Sequence, residues 1–173
     1  MSTVTQPTAT QPATTATSGP RLVLAPVRAG RAVLDGGWWP RSWDPHAELP
    51  ELVLALSTRY GTIRQLMLNS VTWDSRFRRL AVGGGVVRAG WYASVDPATL
   101  IATTYDGDQI DLLVVPPSTA AGTAETAMAR AADPANRDRA QAILTAPAAV
   151  ENSDEHPRWD NDGGADRNGR RQP

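Results

Sequence analysis

Seven consecutive residues hold the densest chemistry in this chain. Trp38-Trp39-Pro40-Arg41-Ser42-Trp43-Asp44 places three indoles, a guanidinium and a carboxylate on a stretch that reads as a loop. A guanidinium offers a planar fork to carboxylate or phosphate and stacks on aromatic rings, while indoles supply large rigid contact area. Left exposed, such a loop reads as a surface for an anionic or aromatic small ligand or a protein partner, because uncovered tryptophans are costly without one. The structural alternative sends Trp38 and Trp39 to opposite sides, one into the core and one against a helix, with Arg41 paired to an acid and Asp44 capping a helix. The binding reading requires that the indole pair and the Arg41 guanidinium stay open to solvent.

Trp73-Asp74, followed by Arg76, Phe77, Arg78 and Arg79, is the only basic run with interleaved aromatics. Trp73, Asp74 and Arg79 therefore join Trp38, Trp39, Arg41 and Asp44 as candidate ligand-binding residues. On a strand, Arg76 and Arg78 face one way and Arg79 the other, which limits the run to two or three phosphate contacts offset by Asp74. A solvated strand edge is the preferred reading of this run, since charges there discourage sheet-to-sheet pairing. Nucleic-acid binding through the Arg76–Arg79 edge is the disfavoured alternative. An enzyme would use Asp44 or Asp74 as general acid or base and Arg41 as electrostatic stabiliser. The non-catalytic binding or regulatory module is preferred over it.

Other groupings carry less. Ser42 and His46 are four apart, but Pro45 disturbs a shared helical turn and no third group completes a triad. Asp106, Asp108 and Asp111 are oxygen ligands with a spacing that fits no calcium loop, and Asp106-Gly107 is a favoured tight-hairpin pair. Gly83-Gly84-Gly85 precedes a strand, so it reads as a turn and not as a phosphate loop opening a helix.

Composition closes whole classes. All 17 basic residues are arginine, which excludes a phosphate-loop lysine, a kinase-type lysine and a Schiff base. No cysteine is present, so disulfides, thiol nucleophiles and thiolate metal sites are out. His46 is the one imidazole of the expected domain, His156 falling in the polar end, and sites built on paired histidines are excluded. No metal or cofactor is expected. Residues 21–148 hold 13 Arg against 12 acids, too even a balance for the positive field of a non-specific nucleic-acid binder. Neither a secretory signal nor a long apolar run is found, so the expectation is a cytoplasmic protein without a membrane span.

The elements that must position these groups follow from periodicity. Residues 1–20 are rich in Thr, Ala and Pro with no charge, and residues 151–173 mix both charge signs with Gly and Asn; both are expected to be disordered tails. Between them lies one α+β domain over 21–133, followed by a weak helix or linker over 134–150. Short strands are predicted at Arg21–Pro26 and Arg31–Leu34. Leu49, Leu52, Val53, Leu56 and Tyr60 form one helical stripe, with a loose first turn after Asp44-Pro45 and a regular helix from Pro50. Thr62–Thr72 reads as a strand covered on both faces or bent in the middle, and Arg78–Val82, Val86–Val95, Thr99–Tyr105 and Gln109–Val115 as a four-stranded antiparallel meander. Val87, Ala89, Trp91, Ala93 and Val95 are assigned to the core face, and the second half of the last strand is expected to be covered on both sides. Two weak helices, Thr123–Ala132 and Asn136–Ala146, have Thr123 and Asn136 as possible caps. The fold class is a bent antiparallel sheet of six or seven strands with one main packed helix and weak C-terminal helices.

Gly36-Gly37-Trp38-Trp39-Pro40-Arg41-Ser42, Asn69 with Trp73-Asp74, and Leu112-Leu113-Val114-Val115-Pro116-Pro117 together resemble an actinobacterial family catalogued as a domain of unknown function. The resemblance runs from Arg21 to Asp133. It implies domain limits and lineage, and no activity comes with it.

Overall fold

The computed structural model describes residues 19–146, so most of both expected tails lies outside the described residues. The chain forms β1 (Leu22–Leu24), β2 (Gly36–Trp38), α1 (Pro45–Tyr60), β3 (Ile63–Asn69), β4 (Arg79–Val82), β5 (Gly85–Tyr92), β6 (Thr99–Thr104), β7 (Gln109–Val114), α2 (Ala121–Ala131) and α3 (Ala140–Thr145). The seven strands make one sheet in the order β1-β2-β7-β6-β3-β5-β4. The class is α+β.

The sheet is mixed, which corrects the all-antiparallel expectation: β2 runs parallel to β7 and β3 parallel to β5. Both hairpins of the expected meander form, but β3 lies between them, pairing with β5 on one side and β6 on the other. Turn dipeptides fix only the strands they join. The place between the hairpins falls to β3, whose buried Ile63, Leu66 and Leu68 suit it to the interior of a sheet.

Asp44 opens α1 by accepting a hydrogen bond on Oδ1 from the His46 amide at 2.9 Å, with Pro45 as first residue. Glu48 closes the same turn, taking the Arg41 amide on Oε2 and the Ser42 hydroxyl on Oε1, each at 3.0 Å. These bonds hold the first turn regular, so the helix starts at Pro45 and carries Pro50 within it, earlier than the spacing predicts. Its stripe of Leu49, Leu52, Val53 and Leu56 is buried on one face of the sheet, against Leu66, Leu68, Leu100, Leu112 and Val114. Burial of each such side chain contributes about 1.5–3 kcal/mol.

The opposite face holds a second core under α2 and α3, where Ala124, Ala127, Met128 and Ile143 meet Leu113 and Val115. The last strand is thus covered on both sides in its second half, as its pattern requires. Neither predicted cap is used: Ala120 and Arg139 precede the two helices without side-chain caps. Asn136 instead folds its amide onto the backbone of Asp138.

Two further differences concern β2 and β5. No strand forms at 31–34; the strand is Gly36–Trp38. A Cβ on Gly36 would lie 2.3 Å from the Val23 carbonyl oxygen, and one on Gly37 2.6 Å from the Met128 Cα. Glycine is what lets β1 and α2 close on this strand. On β5, Val87 and Ala89 are buried as expected, but the strand ends at Tyr92 and Ala93 is exposed.

The helix α2 packs on β1, β2 and β7. Farther across that face, register aligns Gln109, Thr103, Gln65, Arg88 and Arg79 in one row from β7 to β4. Arg88 and Arg79, at the far end of the row, are exposed.

Candidate anion-binding site

The Trp-rich loop is packed. Trp38 is 1% exposed in the first core and Trp39 9% exposed in the second. They diverge because consecutive residues at the end of β2 alternate across the sheet. Trp38 stacks on Trp73 at 5.7 Å, and Trp43 meets Trp73 edge-on at 5.2 Å. Trp73 is itself 7% exposed. The expectation of an accessible indole pair is therefore corrected: the rings face packing, not solvent.

Arg21 clamps the loop from outside. Its guanidinium lies 3.5 Å above the Trp39 ring, Nε donates to the Trp39 carbonyl at 2.9 Å, and a terminal nitrogen donates to the Pro40 carbonyl at 2.7 Å. Sequence reasoning missed this residue, whose partners are backbone carbonyls that no side-chain pattern marks. Arg41 sits 3.8 Å from the Glu51 carboxylate and donates to the Gly19 carbonyl. Asp44 is occupied as the helix cap. Asp74 is exposed, with its amide bonded to the Trp43 carbonyl at 3.1 Å. Five of the seven candidate residues, Trp38, Arg41, Asp44, Trp73 and Asp74, thus lie near the entry to α1, while the Trp39 ring lies across the sheet in the second core.

Arg79 lies elsewhere. The Gly83-Gly84 turn, with φ of 57° and 81°, joins β4 to β5 and sets Arg79 directly opposite Arg88. Two positive charges facing each other across a strand pair are destabilising by themselves. Arg78 precedes β4 and lines the same groove, next to Phe77, which is anchored. The Phe77 carbonyl accepts the Trp91 indole N–H at 2.6 Å, and the Phe77 ring packs edge-on against Trp91 at 5.7 Å and tilted against His46 at 4.4 Å. Arg78, Arg79 and Arg88 line a shallow groove of about 530 Å³ with Gln65, Gly90 and Tyr92. Among the described residues, none of these three guanidiniums has a carboxylate within ion-pair distance, and no acid lines the groove. Arg88 was legible as an outward residue. Counting four residues outward on each side of the Gly83-Gly84 turn would have paired it with Arg79.

Residues 21–131 match a family described as a family of unknown function, DUF5994. The chain belongs to DUF5994. The matched segment closely follows the span of the resemblance and contains the Trp-rich loop, the arginine groove and every strand, while α3 lies beyond it. No curated protein and no solved structure matches the chain. Within the DUF5994 segment no helix is long and apolar enough to cross a membrane.

The aspartates of the same segment serve the frame. Asp106-Gly107 forms the β6–β7 turn, with Gly107 at φ 94°. Asp108 pairs with Arg28 at 3.0 Å, and Asp35 approaches the same guanidinium at 3.7 Å. No group of three metal-ligating side chains occurs among the described residues. Burial pushes the Asp111 carboxyl above its ordinary range; Asp35 adds to this, while a hydrogen bond from Gln109 and the Arg28 charge oppose it. A carboxyl with a raised folded-state pKa costs stability when ionised, and the cost vanishes as pH falls through the folded value to below the unfolded one. Asp111→Asn is therefore expected to raise the urea midpoint at neutral pH, with the gain shrinking in acid. A gain that persists unchanged at low pH would contradict this assignment.

Proposed function

We propose that this protein is a non-catalytic binding module that holds a small anionic ligand on the open half of its sheet, between Arg78, Arg79 and Arg88. One observation carries the reading: Arg79 faces Arg88 across β4 and β5, with Arg78 alongside and no acid to balance them. An anion relieves the repulsion and takes charge-assisted hydrogen bonds from both sides. The even charge balance of residues 21–148 favours a compact anion over a long polyanion, whose capture relies on a broad positive field. The lack of a carboxylate in the groove favours binding over acid–base catalysis.

In this reading the Trp38–Asp44 stretch is the pillar between the two cores and Arg79 is the member of the candidate set that meets the ligand. The absence of cysteine supports a cytoplasmic setting, and the resemblance of the Trp-rich motif supports an actinobacterial lineage.

Calorimetric titration with inorganic pyrophosphate at low salt tests the reading. Arg79→Ala and Arg88→Ala are each expected to weaken binding about tenfold or more, the worth of a hydrogen bond to a charged group. Both variants are expected to unfold at or slightly above the wild-type urea midpoint, because each removes a like-charge pair. Unchanged affinity in both variants would overturn the proposal.

A further inference from the structure

We infer that the anion is the phosphate of a nucleotide, whose base lies on Tyr92 while Arg79 and Arg88 hold the phosphate; this rests on the groove being an anion site. The position of the Tyr92 ring is the starting point. A Cβ on Gly90 would lie 2.6 Å from Tyr92 Cε2 and 3.0 Å from its hydroxyl oxygen. The ring is folded back along β5 over the one residue there without a side chain. It is 44% exposed, so it offers a flat apolar surface at the groove.

The spacing then selects the ligand. Gly90 follows Arg88 by two residues, which sets ring and guanidinium row about 7 Å apart along the strand. A planar group joined to phosphate through a sugar spans that kind of separation. The two facing guanidiniums exceed what one carboxylate uses, since a single arginine fork already satisfies it. They suit a phosphate or diphosphate. Gln65, directly beside Arg88 on β3, supplies an amide that can both donate to and accept from a base edge. A groove of about 530 Å³ lies within the size of small-ligand sites, about 300–1,000 Å³.

Titration of the full chain with the adenosine, guanosine, cytidine and uridine diphosphates, with pyrophosphate and with the free nucleosides tests this. At least one nucleoside diphosphate is expected to bind about tenfold more tightly than pyrophosphate, the worth of one stacked base. Tyr92→Ala is expected to remove that advantage and leave pyrophosphate binding intact; Tyr92→Phe is expected to keep it. Gly90→Ala, whose added methyl displaces the ring, is expected to behave like Tyr92→Ala. Thermal midpoints confirm that each variant is folded. If pyrophosphate binds but no nucleotide binds more tightly, or if Tyr92→Ala weakens both alike, the nucleotide assignment fails and the anion site stands. If pyrophosphate does not bind, both fail. An oligoadenylate that binds with a steep salt dependence where mononucleotides do not would replace the nucleotide with a single-stranded nucleic acid.

Discussion

Trp38→Ala is expected to cost about 3–5 kcal/mol of folding stability, the range for deleting a large aromatic from a core. The ring is 1% exposed, shares the first core with the α1 stripe and stacks on Trp73 at 5.7 Å. Its removal leaves a cavity at the point where Trp43, Trp73 and the entry to α1 meet. Domains of this kind have about 5–15 kcal/mol in total, so the variant stands at the edge of folding. A urea titration should show the midpoint falling sharply with little change in slope. A loss below about 1 kcal/mol would mean that the ring is not a pillar.

Gly37→Ala is expected to cost about 1–3 kcal/mol by overpacking. The added methyl would meet the Met128 Cα at 2.6 Å and two Met128 side-chain atoms at 2.9 and 3.0 Å. A side chain can swing aside, but a Cα moves only with its helix. Relief therefore requires α2 to lift from β2, which opens the second core around Leu113 and Val115. Gly122→Ala, within α2 and facing nothing within 4 Å, is the control and is expected to be neutral or stabilising. Equal midpoints for the two variants would contradict the close approach of helix and strand.

The contrast between Gly37 and the helix stripe shows what sequence carries. Leu49, Leu52, Val53 and Leu56 announce themselves because period and burial coincide on one element. Asp106-Gly107 does the same for its hairpin, since the backbone conformation selects the residues. Gly36-Gly37 points the other way: glycine is unfavourable in a strand, and only the nearness of Val23 and Met128 explains it. The insertion of β3 between β5 and β6 is equally invisible, because alternation states which face a residue takes and not which strand lies beside it. For the site, residue type drew attention to the indoles, whose abundance serves packing. The arginine pair needed register, which the glycine turn supplied but composition did not weigh.

The anion site is tested most directly by observing the arginine Nε–Hε resonances of the full chain during titration with pyrophosphate. Arg79 and Arg88 are expected to shift most and to saturate together, accompanied by the amides of Gly90 and Tyr92. Arg31 and Arg139, exposed on other parts of the surface, are expected to stay in place. Equal small shifts at all exposed arginines, or saturation at a different set that leaves Arg79 and Arg88 unmoved, would contradict the account.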